Sequence, residues 1–253
     1  SFVKNPVTGK EIPVWIADNL IRVARISKHY HELVDYTKSK LAHEEKNERL
    51  KYLYILMLSY DDTFPYHDTE RNLNELLLQN ENHSHSHGLL GWIYTQRFYH
   101  EKSIAWFNKA VYHYEQAKQL VQSADKTTLA KWELNLAHIH FQLAHITEDQ
   151  ANFSKSFHYY VEREKYLLPF ENDYSELVYH QQFGRAAFRI GEWDLALEQL
   201  KKTYSLAQQL QLQNIAEQSL LQITTIYKIN DQADLAQFYF NKLKATNSQA
   251  PDT

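Results

Sequence analysis

Proline placement constrains this chain more than any other feature. Prolines stand at 6, 13, 65, 169 and 251 and leave the stretches 14–64, 66–168 and 170–250 uninterrupted. Proline has no N–H to donate and its ring clashes with the preceding turn, so long runs without it are open to continuous helix. Glycine, the other common helix breaker, occurs only five times. The stretches are rich in Leu, Ala, Gln, Glu and Lys, which favour helix, and show no strand-like alternation between turn residues. The expectation is an all-α fold. Hydrophobic residues at 43% against 23% charged allow a packed core.

Self-similarity indicates how the helices are arranged. Residues 180–207 read HQQFGRAAFRIGEWDLALEQLKKTYSLA. Phe183-Gly184 is followed at helical spacing by Ala187, then by a break at Gly191, then by Trp193, Ala196, Leu200 and Thr203. This resembles the tetratricopeptide pattern: a large–small pair in helix A, a turn, then aromatic, small and large positions in helix B. Small residues let the paired helices approach, and large ones fill the space beside them. The unit recurs at Leu90-Gly91 with Tyr94, Ser103, Phe107 and Ala110; at Leu136-Ala137 with His140, Phe157, Tyr160 and Tyr166; and at Ile223-Thr224 with Tyr227, Ala236, Phe240 and Leu243. The small helix-A residues Gly91, Ala137, Gly184 and Thr224 lie 46, 47 and 40 residues apart, longer than the usual ~34-residue unit. The pattern predicts helix pairs at 86–97 with 101–121, 127–145 with 153–168, 174–189 with 192–210, and 213–229 with 232–246.

The first 80 residues lack the repeat. Trp15, Ile16, Leu20, Ile21, Val23 and Ile26 suggest one amphipathic helix, 30–45 and 47–61 two more, and Asp68 an N-cap for a fourth through Leu78. The expected organisation is an irregular N-terminus at 1–13, a helical bundle and cap at 14–80, an array of about four helix pairs at 86–246, and a disordered tail at 247–253. The fold class expected is a helix-pair, tetratricopeptide-like right-handed solenoid behind an N-terminal helical bundle, the bundle covering apolar surface at one end. The absence of cysteine excludes disulfides and fits a reducing compartment. A formal charge of −4 gives no general attraction to nucleic acid. No apolar run approaches the ~20 residues of a membrane span. The segment from Ser1 to Val14 is polar and broken by Pro6, Gly9 and Pro13, unlike a signal peptide.

A long-repeat array behind a helical bundle resembles the peptide-sensing regulators of Gram-positive bacteria, the Rap, NprR, PlcR, PrgX and Rgg group. The stretches LYILMLSYD at Leu53–Asp61 and YHEKSIAWFNKAVYHYEQA at 99–117 resemble the Rap branch most. The resemblance implies a cytoplasmic quorum-sensing receptor that binds a short linear peptide on its concave face and thereby modulates a partner protein through the bundle. The transcriptional members carry a helix-turn-helix domain that has no counterpart in these residues, so direct nucleic-acid binding is not expected. Rap phosphatases are thought to use a bundle glutamine, whereas the matching stretch here is Tyr54-Ile55-Leu56-Met57. That departure makes a response-regulator aspartate phosphatase the least favoured reading, after a constitutive interaction scaffold.

In such arrays the A helices line the groove. Residues at helical spacing from each small position are Trp92, Thr95 and Gln96; then Leu134, His138, Phe141 and Gln142; then Gln181, Arg185, Phe188 and Arg189; then Gln218, Leu221, Thr225 and Lys228. Leu134 and Leu221 read as packing residues. The rest form the candidate peptide site. Amides can pair with a peptide backbone, Arg185, Arg189 and Lys228 can hold a carboxylate, and Trp92, Phe141 and Phe188 can accept apolar side chains.

No other motif points to chemistry. His83, His85 and His87 lie in NENHSHSHG, read as the loop joining bundle to array, with no carboxylate or thiolate completing a zinc set. His138 and His145 sit roughly 10 Å apart along a helix, too far to share an ion, and His140 points elsewhere. Asp61-Asp62 would point apart and end a helix before Pro65. There is no phosphate loop, nucleophile elbow or HExxH. The expectation is a non-enzymatic protein without metal or cofactor, with exposed aromatics near Tyr239 and Phe240 permitting a homodimer.

Overall fold

The computed structural model describes residues 14–27, 29–60, 66–121, 125–166, 168–170 and 172–247. Among these residues the secondary structure is helical, with no strand. The helices are α1 (Val14–Ile26), α2 (Tyr30–His43), α3 (Glu48–Ser59), α4 (Tyr66–Gln79), α5 (Ser84–Glu101), α6 (Ile104–Leu120), α7 (Lys126–Thr147), α8 (Gln150–Glu164), α9 (Asp173–Ile190), α10 (Trp193–Gln209), α11 (Gln213–Ile229) and α12 (Ala233–Asn247). The eight from α5 onward are the four expected pairs. Of the expected disordered tail 247–253, Asn247 instead ends α12; the rest of it, the expected N-terminus 1–13, the pair Asp61-Asp62 and the side chains of Trp15 and Ile16 lie outside the described residues. The chain forms two compact units, Ser1–Trp132 and Glu133–Thr253, that divide within α7.

In the first unit, Leu50, Leu53 and Met57 of α3 are fully buried, and the Tyr30 hydroxyl donates to the Met57 carbonyl, tying α2 to α3. Asn47 caps α3 by accepting the Leu50 N–H at 3.0 Å. Of the apolar residues expected to face inward on α1, Ile21 is buried, but Leu20, Val23 and Ile26 are exposed. Asp68 is not the cap of α4. That helix starts at Tyr66, and Asp68 stands in its first turn, where it meets Arg71 at 3.0 Å. The histidine run is not a loop either. His83 caps α5 by accepting the Ser86 N–H at 3.2 Å, so His85 and His87 are helical. A histidine nitrogen does here what Ser or Asp usually does, which hid the helix start.

The α5–α6 pair closes on Gly91, where an added Cβ would lie 2.6 Å from the Tyr114 ring. In the second unit, Ala137, Phe141, Phe153, Tyr160, Tyr179 and Phe183 join α7, α8 and α9 in one buried cluster. Ala187, Ala196, Leu200, Ile223, Tyr227 and Ala236 join α9 to α12 in another. At Gly184 an added Cβ would come within 3.1 Å of Leu200 and 3.2 Å of Gln199. The second helix of the 137 repeat starts and ends earlier than expected. Asp149 caps it, accepting the Ala151 N–H at 2.9 Å, and it stops at Glu164, where Arg163 lies 4.3 Å over the Phe170 ring and donates to the Leu168 carbonyl.

Each A–B turn uses one residue in the left-handed region: Lys102 (φ 53°), Glu148 (φ 54°), Gly191 (φ 85°) and Asp231 (φ 53°). That conformation costs an L-residue with an ordinary side chain about 1 kcal/mol, and glycine nearly nothing. Only Gly191 announces its turn in the sequence. Glu148→Gly is therefore expected to raise stability by ~0.5–1 kcal/mol in urea unfolding. Gly91→Ala is expected to lower it by ~1–3 kcal/mol, because the Tyr114 ring must move; an unchanged midpoint would show that the α5–α6 approach is not limiting.

Candidate functional site

The candidate site belongs to the second unit and is built from the A helices α7, α9 and α11. On α9 the inward positions Leu177, Tyr179, His180, Phe183, Gly184, Ala186 and Ala187 are buried. Helical periodicity then leaves Gln181, Gln182, Arg185, Phe188 and Arg189 on the other side. Arg185 is half-buried, its guanidinium carbon 5.3 Å from the Phe141 ring of α7. Arg189 is exposed, 4.7 Å over the Phe153 ring of α8. The Gln150 side chain donates to the Arg189 carbonyl at 3.1 Å, fixing the end of α9.

The electrostatics of this patch are unbalanced. Burial, and then the charge of Arg189, pull the Arg185 pKa below its usual value, while Tyr160 acts in the opposite sense. Neither guanidinium has an ion-pair partner among the described residues. His138 of α7 lies edge-on to Tyr160 at 5.9 Å. Its Nε2 is sealed from solvent without a hydrogen-bond partner, and burial pushes its pKa down to about 4. The Oε1 of Gln182 is likewise buried and unpaired. The two guanidiniums make this face able to receive an anionic group, whereas the sealed His138 and Gln182 atoms are not presented to a ligand.

The sequence-expected residues divide into several groups. Gln142 and Gln181 are half-buried, and Gln218 and Lys228 are exposed; the Lys228 ammonium lies 5.7 Å from the Phe240 ring. Phe141 is not a contact residue, because it is buried in the α7–α9 core with Arg185 over its ring. Phe188 is half-buried and packs edge-on against Trp193 at 5.6 Å, so it serves the next cluster. Thr225 turns its hydroxyl to the Leu221 carbonyl at 2.8 Å. Leu221, expected to pack, is 56% exposed; Leu134 does pack against the core. Gln182 was missed because its neighbour Gln181 satisfied the same spacing argument.

In the first unit, Trp92 is half-buried and edge-on to Tyr66 at 5.8 Å, and Gln96 is half-buried. Thr95 is buried and donates to the Gly91 carbonyl at 2.8 Å, so it is a helix-internal residue. The histidines there are structural. The contact of His87 Nε2 with the Glu81 carbonyl at 3.1 Å requires a proton on Nε2. His87 Nδ1 therefore accepts from His113 Nδ1–H at 2.9 Å. Among the described residues, no three of His, Cys, Asp or Glu come together to hold a metal ion. His140, sequence-adjacent to the site, is held by Asn152 at 2.8 Å.

No family model and no curated protein matches the chain. Solved structures similar to it include the crystal structure of BtubC (BKLC) from P. vanneervenii. That structure is 15% identical, has a TM-score of 0.55, and the match covers 87% of this chain and 89% of that one. At this identity the likeness concerns the fold alone, which in this chain is an all-α helical repeat. No helix among the described residues is long and apolar enough to cross a membrane.

The buried His138 makes the second unit pH-sensitive. Its folded pKa of about 4 lies below the unfolded value of 6.5, so the unfolded state binds the proton more readily. The stabilisation from keeping it neutral is complete above pH 6.5 and is lost as pH falls towards 4. His138→Gln is expected to lessen the drop in urea midpoint between pH 7 and pH 5. An equal drop in both proteins would mean that His138 is not neutral in the fold.

Proposed function

We propose that the second unit binds a linear peptide along α7, α9 and α11, with Arg185 and Arg189 receiving a carboxylate, and that the chain is a cytoplasmic receptor that modulates a partner protein in response. The observation that supports this reading most is the pair of arginines one helical turn apart with no counter-charge among the described residues. A half-buried guanidinium without a carboxylate is costly, and an anionic ligand would offset that cost. Gln142, Gln181 and Gln218 supply donors and acceptors for a peptide main chain on either side. Arg189 also lies at the C-terminal turn of α9, where a cation stabilises the helix. That role does not extend to the more buried Arg185.

A synthetic library of labelled linear peptides, each made with a free and with an amidated C-terminus, tests the reading by fluorescence anisotropy. Free-carboxylate peptides are expected to bind, with amidation weakening affinity about ten- to a hundredfold, the equivalent of one charge-assisted bidentate contact. Arg185→Ala with Arg189→Ala should abolish binding and leave the thermal midpoint nearly unchanged. Peptide binding that is indifferent to both arginines would place the site elsewhere. A partner protein retained equally with and without peptide would make the chain a constitutive scaffold.

A further inference from the structure

The outward face of α12 has an internal symmetry. Its inward face is committed: Ala236 is buried, and Tyr239 stacks on Tyr227 of α11 at 5.3 Å. On the opposite side, Asp234, Leu235, Phe238, Asn241, Lys242 and Ala245 are all exposed. At 100° per residue these six fall within about 60° of Phe238 and form one stripe. Phe238 is 51% exposed and Leu235 43%, an unusual pairing of large apolar groups on a surface helix. The Lys242 ammonium lies 4.8 Å from the Phe238 ring, and Asp234 has no ion-pair partner among the described residues.

The charges on this stripe are placed about Phe238. Asp234 stands four residues before it and Lys242 four after, each about 6 Å along the axis. An antiparallel second copy, related by a two-fold axis through Phe238, brings each Asp234 level along the axis with the other copy's Lys242. The two Phe238 rings meet at the axis, flanked by Leu235. A parallel arrangement would instead oppose Asp234 to Asp234 and Lys242 to Lys242, which costs free energy. A face that is complementary to itself when reversed is what an isologous dimer requires.

We infer that α12 is a homodimerisation surface, its occupant a second copy of this chain packed antiparallel through Phe238 and closed by reciprocal Asp234–Lys242 pairs. One helix face on each side makes a small interface, below the ~1,200 Å² of stable complexes, so the dimer is weak and concentration-dependent. It does not depend on the peptide reading, since it uses other residues on another helix.

Sedimentation velocity on the full chain over about 1 to 300 μM tests it, a range suited to weak association of this size. The expected result is a monomer–dimer equilibrium that Phe238→Ser shifts to monomer throughout. Asp234→Lys and Lys242→Asp, which each oppose like charges, are each expected to weaken the dimer about tenfold or more. The combined Asp234→Lys/Lys242→Asp chain should recover most of the loss, because the reversed pairs are again complementary. Thermal midpoints taken in parallel separate folding defects from association. A monomer at every concentration, a dimer indifferent to Phe238→Ser, or a double variant no better than the singles would each overturn the inference.

Discussion

Everything in this chain depends on how closely paired helices approach at one small residue per repeat. At Gly91 and Gly184 even a methyl group would press into the neighbouring helix, and Ala137 and Thr224 occupy the same position in the other two pairs. Close approach lets aromatic side chains be shared between successive helices. Tyr160 touches both Tyr179 and Phe183 across the α8–α9 contact, with ring centroids 5.5 and 5.3 Å apart. The abundance of Tyr and Phe is thus a packing device. Such rings bury large areas with few rotatable bonds, and several phenols keep a partner, as Tyr179 does in donating to Glu164 at 2.7 Å.

The same packing creates the candidate site. Because Phe141 is drawn into the core, Arg185 can lie over its ring, and the guanidinium is held half out of water by an aromatic face rather than by a carboxylate. His138 is made neutral in the same way, by burial beside Tyr160. These electrostatic features come from the hydrophobic cluster around them. The placement of these polar groups and the integrity of the core are one arrangement.

Much of this was legible in the sequence. The four helix pairs, the small residues at their contacts and the polar set Gln142, Gln181, Arg185, Arg189, Gln218 and Lys228 followed from periodicity, because helical spacing translates directly into faces. Turn chemistry was less visible. Gly191 marks its own turn, but Lys102, Glu148 and Asp231 adopt the same left-handed conformation without the residue type that advertises it. The start of α5 was hidden for a similar reason, since a histidine cap looks like part of a polar loop. Spacing also could not separate Phe141 from its neighbours, because the boundary between exposed face and core on a helix is an angle of a few tens of degrees.

The sequence by itself determined the class of fold, the number and pairing of the repeat helices and the places where they touch. Those properties rest on local backbone sterics and on a hydrophobic period, both of which are written along the chain. Only the tertiary structure decided which polar side chains keep their water. Arg185 and Arg189 are alike in sequence and lie one turn apart, yet one is half-buried over Phe141 and the other exposed over Phe153. Desolvation depends on what other helices place against a residue, and those helices are distant in the chain.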